Sequence, residues 1–246
     1  MRAPPKKEIS ILLPAFNEAW RIESSIKAVE NTVKTFCGSY EIIVTEDGSI
    51  DQTASIVMRL SKANPNLEFL HSLTRLGKGG AIKRALCIAK GDVVVFMDVD
   101  LSTSLKFLQP IVQFVKNRHG LVIGSRHVQG SKVQRPTLRA FCSVVYNIFV
   151  NVLFLDGIHD HQCGFKAMSH EVAKVMGEKI KSDSWFFDTE LILRCRKLGY
   201  PLSELGVEWT EKRKKNYSKI SLFRDSPKIG LDLLRFKLNE NRLLNN

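Results

Sequence analysis

From Glu8 to Arg126 short β-branched runs alternate with stretches whose apolar positions recur at helical spacing. EISILLPAF, YEIIVTE, LEFLHSL, DVVVFMDVD and LVIGSR read as five strands, each bounded by polar or glycine-containing turns. Between them residues 18–36, 51–64, 77–90 and 104–117 read as helices. Ile22, Ile26 and Val29 mark the apolar stripe of the first, and Ile56, Val57 and Leu60 that of the second. Strand–helix–strand units repeated in this way predict an α/β fold with a mostly parallel sheet flanked by helices. In such sheets ligands sit beyond the carboxyl ends of the strands, which singles out the loops PAFNE, EDGSID and DVDLST.

After Arg126 the alternation stops. Residues 136–157 read as one apolar helix, DHQCGFKAMS as a strand or loop, SWFFDTELILRCRKLG as an amphipathic helix and PLSELGVEW as a strand, with a basic run and a final helix from about Ser221. No linker, repeat or low-complexity tract interrupts the chain, so residues 1–246 read as one domain: a ligand-binding half, 1–126, and a C-terminal elaboration, 127–246.

Length adds that a chain of 246 residues can bury a sufficient core without a metal or disulfide staple. The five cysteines form no CxxC pair, which fits a reducing compartment. The N-terminus lacks the apolar run of a secretory signal. The longest uncharged apolar stretch, 140–155, is interrupted by Ser143, Asn147 and Asn151 and falls short of the ~20 residues of a spanning helix, so no segment is expected to cross a bilayer. In 136–157 the apolar positions Phe141, Val144, Val145, Ile148, Val152 and Leu155 form a wide face beside that narrow polar stripe. The face suits either the core or a membrane interface. The net charge of +12 calls for an anionic partner: nucleic acid, nucleotide or acidic membrane.

Asp98 and Asp100, at i and i+2 after an apolar strand, would share one face of that strand. They can together hold a divalent cation, Mg²⁺ or Mn²⁺, through oxygen, or equally cap a solvated turn. Such an ion would neutralise a diphosphate leaving group as a Lewis acid. Gly48 permits a tight turn after the second strand, Asp51 can cap the next helix, and Asp47 can accept hydrogen bonds from a base or ribose. His159 and His161 read as loop residues rather than metal ligands, and no Ser-His-Asp or Cys-His set is evident.

PAFNE, EDGSIDQT, RLGKGGAIKRAL and DVD, in that order, closely resemble the family 2 glycosyltransferases of the GT-A fold. The resemblance implies that Pro14, Ala15, Asn17, Glu18, Asp47 and Lys78 line a nucleotide-sugar pocket with Asp98, Val99 and Asp100, and that Asp98 and Asp100 hold the metal-diphosphate. Gly124-Ser125-Arg126, Arg135, Arg139, the string from Asp160 to Lys166, the string from Trp185 to Glu190, and Ser218-Lys219 look like the polyprenyl-phosphate branch. DHQCGFK and WFFDTE are more similar to dolichyl-phosphate β-glucosyltransferases than to mannose synthases. Ser102-Thr103-Ser104 also replace the Gln-His-Pro common beside the mannosyl DxD. No QxxRW string occurs, which disfavours a processive polysaccharide synthase.

The resemblance thus implies an inverting transfer of a hexose, glucose from UDP-glucose or alternatively mannose from GDP-mannose, to dolichyl or another polyprenyl phosphate. A phosphate monoester is already anionic and needs cations more than a base. Arg126, as a catalytic residue beside Asp98 and Asp100, is expected to hold it with Arg135, Arg139 and Lys219. The run from Lys212 to Lys215 suits an anionic leaflet. It lacks the interleaved aromatics of RNA-binding modules, so no nucleic-acid partner is expected. The expected location is the cytoplasmic side of a membrane, bound peripherally or monotopically.

Overall fold

A computed structural model describes residues 7–212 and 229–238. The five expected strands form, as β1 (Lys7–Ala15), β2 (Tyr40–Glu46), β3 (Leu67–Leu70), β4 (Gly91–Met97) and β5 (Leu121–Ser125). The expected helices between them are α1 (Ile22–Lys34), α2 (Thr53–Ala63), α3 (Lys78–Ile88) and α4 (Leu108–Arg118). Then follow β6 (Lys132–Gln134), α5 (Thr137–Phe154), β7 (Phe165–Ser169), α6 (His170–Lys179), α7 (Phe187–Lys197), β8 (Leu202–Gly206) and β9 (Glu208–Thr210). Residues 229–238 are helical. Lys219 and residues 213–218 of the basic run lie outside the described residues.

A seven-stranded sheet runs in the order β3-β2-β1-β4-β7-β5-β8, and β6 pairs with β9 in a small parallel sheet. Only β7 runs antiparallel to its two neighbours. β1 lies between β2 and β4, so the chain leaves it on one side and returns on the other. That switch point opens a crevice beyond Ala15 and Met97. Alternation along β1 sends Ile9, Ile11 and Leu13 into a core shared with α1, α2 and α4, and Leu12 into a second core with α3, α6 and α7.

Three departures from the sequence reading matter for the site. β4 stops at Met97, so Asp98 and Asp100 stand in the turn after the strand, not on one face of it. α7 is buried almost all round rather than amphipathic. The expected single strand 201–209 breaks at Val207, whose buried side chain packs in the first core.

α5 is inverted. Its polar stripe faces inward: Asn147 Oδ1 accepts from the backbone N–H of His161, Asn151 Nδ2 donates to the carbonyl of Ile158, and Ser143 Oγ lies 3.4 Å from His127 Nε2. Phe141, Ile148 and Val152 are 68%, 58% and 69% exposed. The wide apolar face is therefore not core. The helix begins before Arg139, and at 18 residues with mean hydropathy 1.5 it is, among the described residues, the one helix long and apolar enough to cross a membrane by length and composition. This exceeds the sixteen-residue stretch counted from the sequence, because a single arginine near a helix end can keep its head in water.

Candidate active site

The loops at the switch point are stitched together by their own polar side chains. Asn17, at φ 51°, accepts the Ile50 amide on Oδ1 (2.9 Å), and its own amide donates to Ser49 Oγ (2.9 Å). The Glu18 amide donates to Thr53 Oγ1 (2.7 Å), and Asp51 accepts the amides of Ala19 and Thr53. Pro14 and Ala15 end β1 beneath this loop pair. Gly48, at φ 66°, closes the turn where a Cβ would stand 2.7 Å from the Thr74 carbonyl carbon.

Asp47 is committed to this scaffold. Its carboxylate accepts the amides of Leu76 (2.5 Å) and Gly77 (3.1 Å), which fixes the start of α3 and hence Lys78. Burial raises its pKa against the lowering effect of those amides. Beside it Glu46, fully buried, takes the Ser49 amide and His71 Nδ1 (2.6 Å). A ligand reaching Asp47 meets a carboxylate whose oxygens already have backbone partners.

Asp98 sits where the antiparallel strand enters. The register sets Phe165 opposite Met97, and the Asp98 amide donates to the Gly164 carbonyl (3.0 Å). A Cβ on Gly164 would stand 2.1 Å from Asp98 Oδ2, so only glycine leaves room for this carboxylate. Buried Val99 accepts Ser25 Oγ on its carbonyl, and Asp100 Oδ1 accepts the Ser102 amide (3.0 Å). Two hard carboxylates in one turn suit a small divalent ion that keeps ligands from water or phosphate. Among the described residues no cluster of three or more His, Cys, Asp or Glu side chains could hold an ion. The fit is therefore to an ion shared with a ligand rather than caged by protein.

Lys78 Nζ lies 3.2 Å from Asp98 Oδ1 and 3.0 Å from Asp188 Oδ2. Asp188 Oδ1 in turn meets the fully buried Lys166 Nζ at 2.7 Å. Burial opposes the charged forms of Lys78 and Asp188, but their opposite-charge partners outweigh it, raising the pKa of Lys78 and lowering that of Asp188. Neither Lys166 nor Asp188 was given a role from the sequence. The available signal was an ionisable residue inside an otherwise apolar strand (FKAM) and helix start (WFFDT), where a buried partner is required.

Arg126 directly follows β5 with its fork on Asp160: Nε to Oδ2 at 2.7 Å and Nη2 to Oδ1 at 2.8 Å, with its amide also on Oδ2. This pair is buried. Burial disfavours both charges, yet Arg126 holds the Asp160 carboxyl well below the usual range, and Asp160 raises the guanidinium. That edge of the fork is thus taken by protein, and Nη1 and the second Nη2 hydrogen are the donors not used on Asp160. Arg135 lies near His127 Nε2 (3.5 Å) and the Ala140 carbonyl, while its buried Nε has no hydrogen-bond partner among the described residues. Burial and then Arg126 lower the Arg135 pKa. Arg139 Nη1 pairs with Glu211 Oε2 at 2.7 Å. Cys163, within this site, is inert as a nucleophile, because burial pushes its thiol up to about 12.

A cavity of about 430 Å³ joins these groups. Its lining includes Lys78, Asp98 and Asp188, the arginines Arg126, Arg135 and Arg139, and Phe141, Val145 and Phe149 from the exposed apolar face of α5. It brings Asp98, Lys78 and the three arginines to one space. Pro14 and Ala15 at the end of β1, and Asn17, Glu18 and Asp47 in the neighbouring loops, are not part of its lining, and Lys219 lies outside the described residues.

The model of "Glycosyl transferase family 2" matches residues 10–177. Glycosyltransferase AglD of Haloferax volcanii is 36% identical over 93% of this chain, which spans 36% of that protein's length. Dolichyl-phosphate beta-glucosyltransferase of Dictyostelium discoideum is 34% identical over 93% of this chain and 73% of its own. Among solved structures, glucosyl-3-phosphoglycerate synthase of Mycobacterium tuberculosis, in complex with Mn²⁺, UDP and phosphoglyceric acid, superposes with TM-score 0.61 at 22% identity, covering 82% of this chain and 69% of that one. Mannosyltransferase PcManGT of Pyrobaculum calidifontis, with GDP-Man and Mn²⁺, gives 0.58 at 22% identity, covering 87% and 59%. These likenesses establish the expected GT-A fold. The chain belongs to glycosyl transferase family 2, as a glycosyltransferase of the dolichyl-phosphate glucosyltransferase type.

Proposed function

We propose that the chain moves glucose from UDP-glucose to dolichyl or another polyprenyl phosphate, with inversion, at the cytoplasmic surface of a membrane that it binds peripherally or monotopically. In this reading residues 1–246 act as one unit, with the donor held by 1–126 and the acceptor by 127–246. The observation that carries it is the cavity itself, whose one lining combines Asp98 and Lys78, three arginines, and Phe141, Val145 and Phe149 of the outward apolar face of α5. Those are the chemistries that a diphosphate, a phosphate monoester and an acyl-like tail require.

When bound at Asp98 and Asp100, a divalent ion, Mg²⁺ or Mn²⁺, supplies Lewis-acid neutralisation of the departing diphosphate. Lys78 adds charge at the same end. Arg126, through the donors not used on Asp160, and Arg135, through an Nε that has no hydrogen-bond partner among the described residues, offset the repulsion between acceptor phosphate and donor diphosphate. Arg139 lines the same cavity, paired with Glu211. An acceptor phosphate oxygen forms a bond to the anomeric carbon as the bond to the diphosphate oxygen breaks, and UDP leaves with that electron pair. No protein base is required, because the nucleophile arrives ionised.

The test incubates the protein with radiolabelled UDP-glucose or GDP-mannose, Mg²⁺ and polyprenyl phosphate, then extracts with organic solvent. Label is expected in the lipid phase from UDP-glucose. Label only from GDP-mannose changes the donor and keeps the rest, and label from neither refutes the reading.

A further inference from the structure

Four charges of alternating sign are joined by successive contacts, Lys166 to Asp188 to Lys78 to Asp98, at 2.7, 3.0 and 3.2 Å, and the last three line the cavity. Their freedom differs. Lys166 is fully buried on β7, and its ammonium also donates to the Cys163 carbonyl (2.6 Å), so it has no room to move. Asp188, at the start of α7, is 3% exposed and uses one oxygen for each lysine. The backbone at Lys78 is fixed through Asp47, which holds the amides of Leu76 and Gly77. What can shift is the Lys78 side chain, which lines the cavity between a fixed carboxylate and the more exposed Asp98.

We infer that Lys78 is a resident counter-cation of Asp98 that competes with the divalent ion for that carboxylate, and that Asp188, anchored by Lys166, is the positioning residue that draws Lys78 aside and presents it to the donor diphosphate. This rests on the metal assignment made under Proposed function. A divalent ion on Asp98 repels an ammonium a few ångströms away, and Asp188 is the anion to which that ammonium retreats. With Asp188 ionised and doubly paired it has no role as a proton acceptor. Its contribution is to fix where the lysine rests.

The competition gives the two neighbours opposite signs, which a merely structural role would not. Binding of Mn²⁺ alone is read from loss of the free-ion electron paramagnetic resonance signal, on protein whose melting is recorded in parallel. Lys78→Gln removes the competitor and is expected to tighten Mn²⁺ about three- to tenfold, while weakening binding of UDP in saturating Mn²⁺ about tenfold. Asp188→Asn leaves Lys78 with Asp98 as its carboxylate and is expected to weaken Mn²⁺ by a similar factor. If Asp188→Asn does not fold, Asp188→Leu combined with Lys166→Met removes both buried charges and is expected to weaken Mn²⁺ in the same direction. Weaker or unchanged Mn²⁺ binding by Lys78→Gln overturns the inference, and so does tighter or unchanged binding when Asp188 is replaced. Asp98→Asn is expected to abolish binding. If it leaves Mn²⁺ affinity untouched, the metal assignment itself fails and takes this proposal with it.

Discussion

The two ends of the cavity solve the problem of buried charge in different ways. At the Asp98 end Lys166, Asp188, Lys78 and Asp98 alternate in sign, so these four charges are balanced before any ligand arrives, and Asp100 in the same turn adds a further carboxylate for a cation. At the α5 end three arginines meet two carboxylates, Asp160 and Glu211, and one buried guanidinium nitrogen has no hydrogen-bond partner among the described residues. Charge-balanced groups can be locked by the surrounding core, whereas a surplus of positive charge is an unfilled requirement for an anion. The first end is therefore pre-organised by the fold, and the second is completed by what it binds.

The largest effect that could break this contrast lies in the Arg126–Asp160 pair. Asp160→Asn leaves a buried guanidinium without its counter-charge, and at neutral pH is expected to lower unfolding free energy by about 3–5 kcal/mol. The folded-state pKa of Asp160 is depressed, so its contribution is fully present above the unfolded carboxyl value of about 4 and is lost as pH falls through the folded value. Urea melts from pH 7 to pH 2 should show the gap between wild type and variant closing below about pH 4. A gap that persists into strong acid means that Arg126 is not held by this carboxylate.

Asp100→Ala, at the opposite end, is expected to reduce transfer about 100-fold or more while costing about 1 kcal/mol of stability, since one amide acceptor is lost. Rate assays beside denaturant melts separate the two. Comparable losses in both would return Asp100 to the role of a turn residue.

The uneven legibility of the sequence follows the same division. Strands β1 to β5 and the turn carboxylates were readable because period and turn chemistry are local. The position of β7 was not, since an antiparallel strand inserted between β4 and β5 is a pairing choice made by the sheet as a whole. That insertion brings Lys166 to Asp188 and Gly164 to Asp98. Arg126 was recognisable as a strand-ending cation, but its bond to Asp160 spans 34 residues and leaves no periodic trace. The wide apolar face of the helix 137–154 was equally plain, yet periodicity cannot say whether such a face points in or out. Here the polar stripe of Ser143, Asn147 and Asn151 is used inward, which turns the apolar face outward.

Arg135→Ala sharpens the comparison at the cation-rich end. Its buried Nε has no hydrogen-bond partner among the described residues, and its Nη2 makes only long contacts to His127 Nε2 (3.5 Å) and the Ala140 carbonyl (3.4 Å), so removing the side chain deletes an unmet donor and breaks no ion pair among the described residues. Thermal melting should stay within about 0.5 kcal/mol of wild type, and the KM for polyprenyl phosphate should rise about tenfold with UDP affinity unchanged. Equal weakening of acceptor and UDP would place Arg135 on the donor instead.

The smallest expected effect concerns the outward face of α5. Ile148 is 58% exposed and makes no contribution to the core clusters, so Ile148→Ser should leave folding within about 0.5 kcal/mol. If that face meets lipid, half-burying the isoleucine contributes about 0.8 kcal/mol, and its loss should weaken sedimentation with polyprenyl-phosphate-containing vesicles about fourfold. Ser143→Leu is the counterpart on the same helix: it replaces a polar group turned toward His127, and should lower the melting temperature without strengthening vesicle binding. If instead the inward variant raises vesicle binding and the outward one does nothing, the helix presents its other side to the membrane, and the cavity would not open onto lipid through Phe141, Val145 and Phe149.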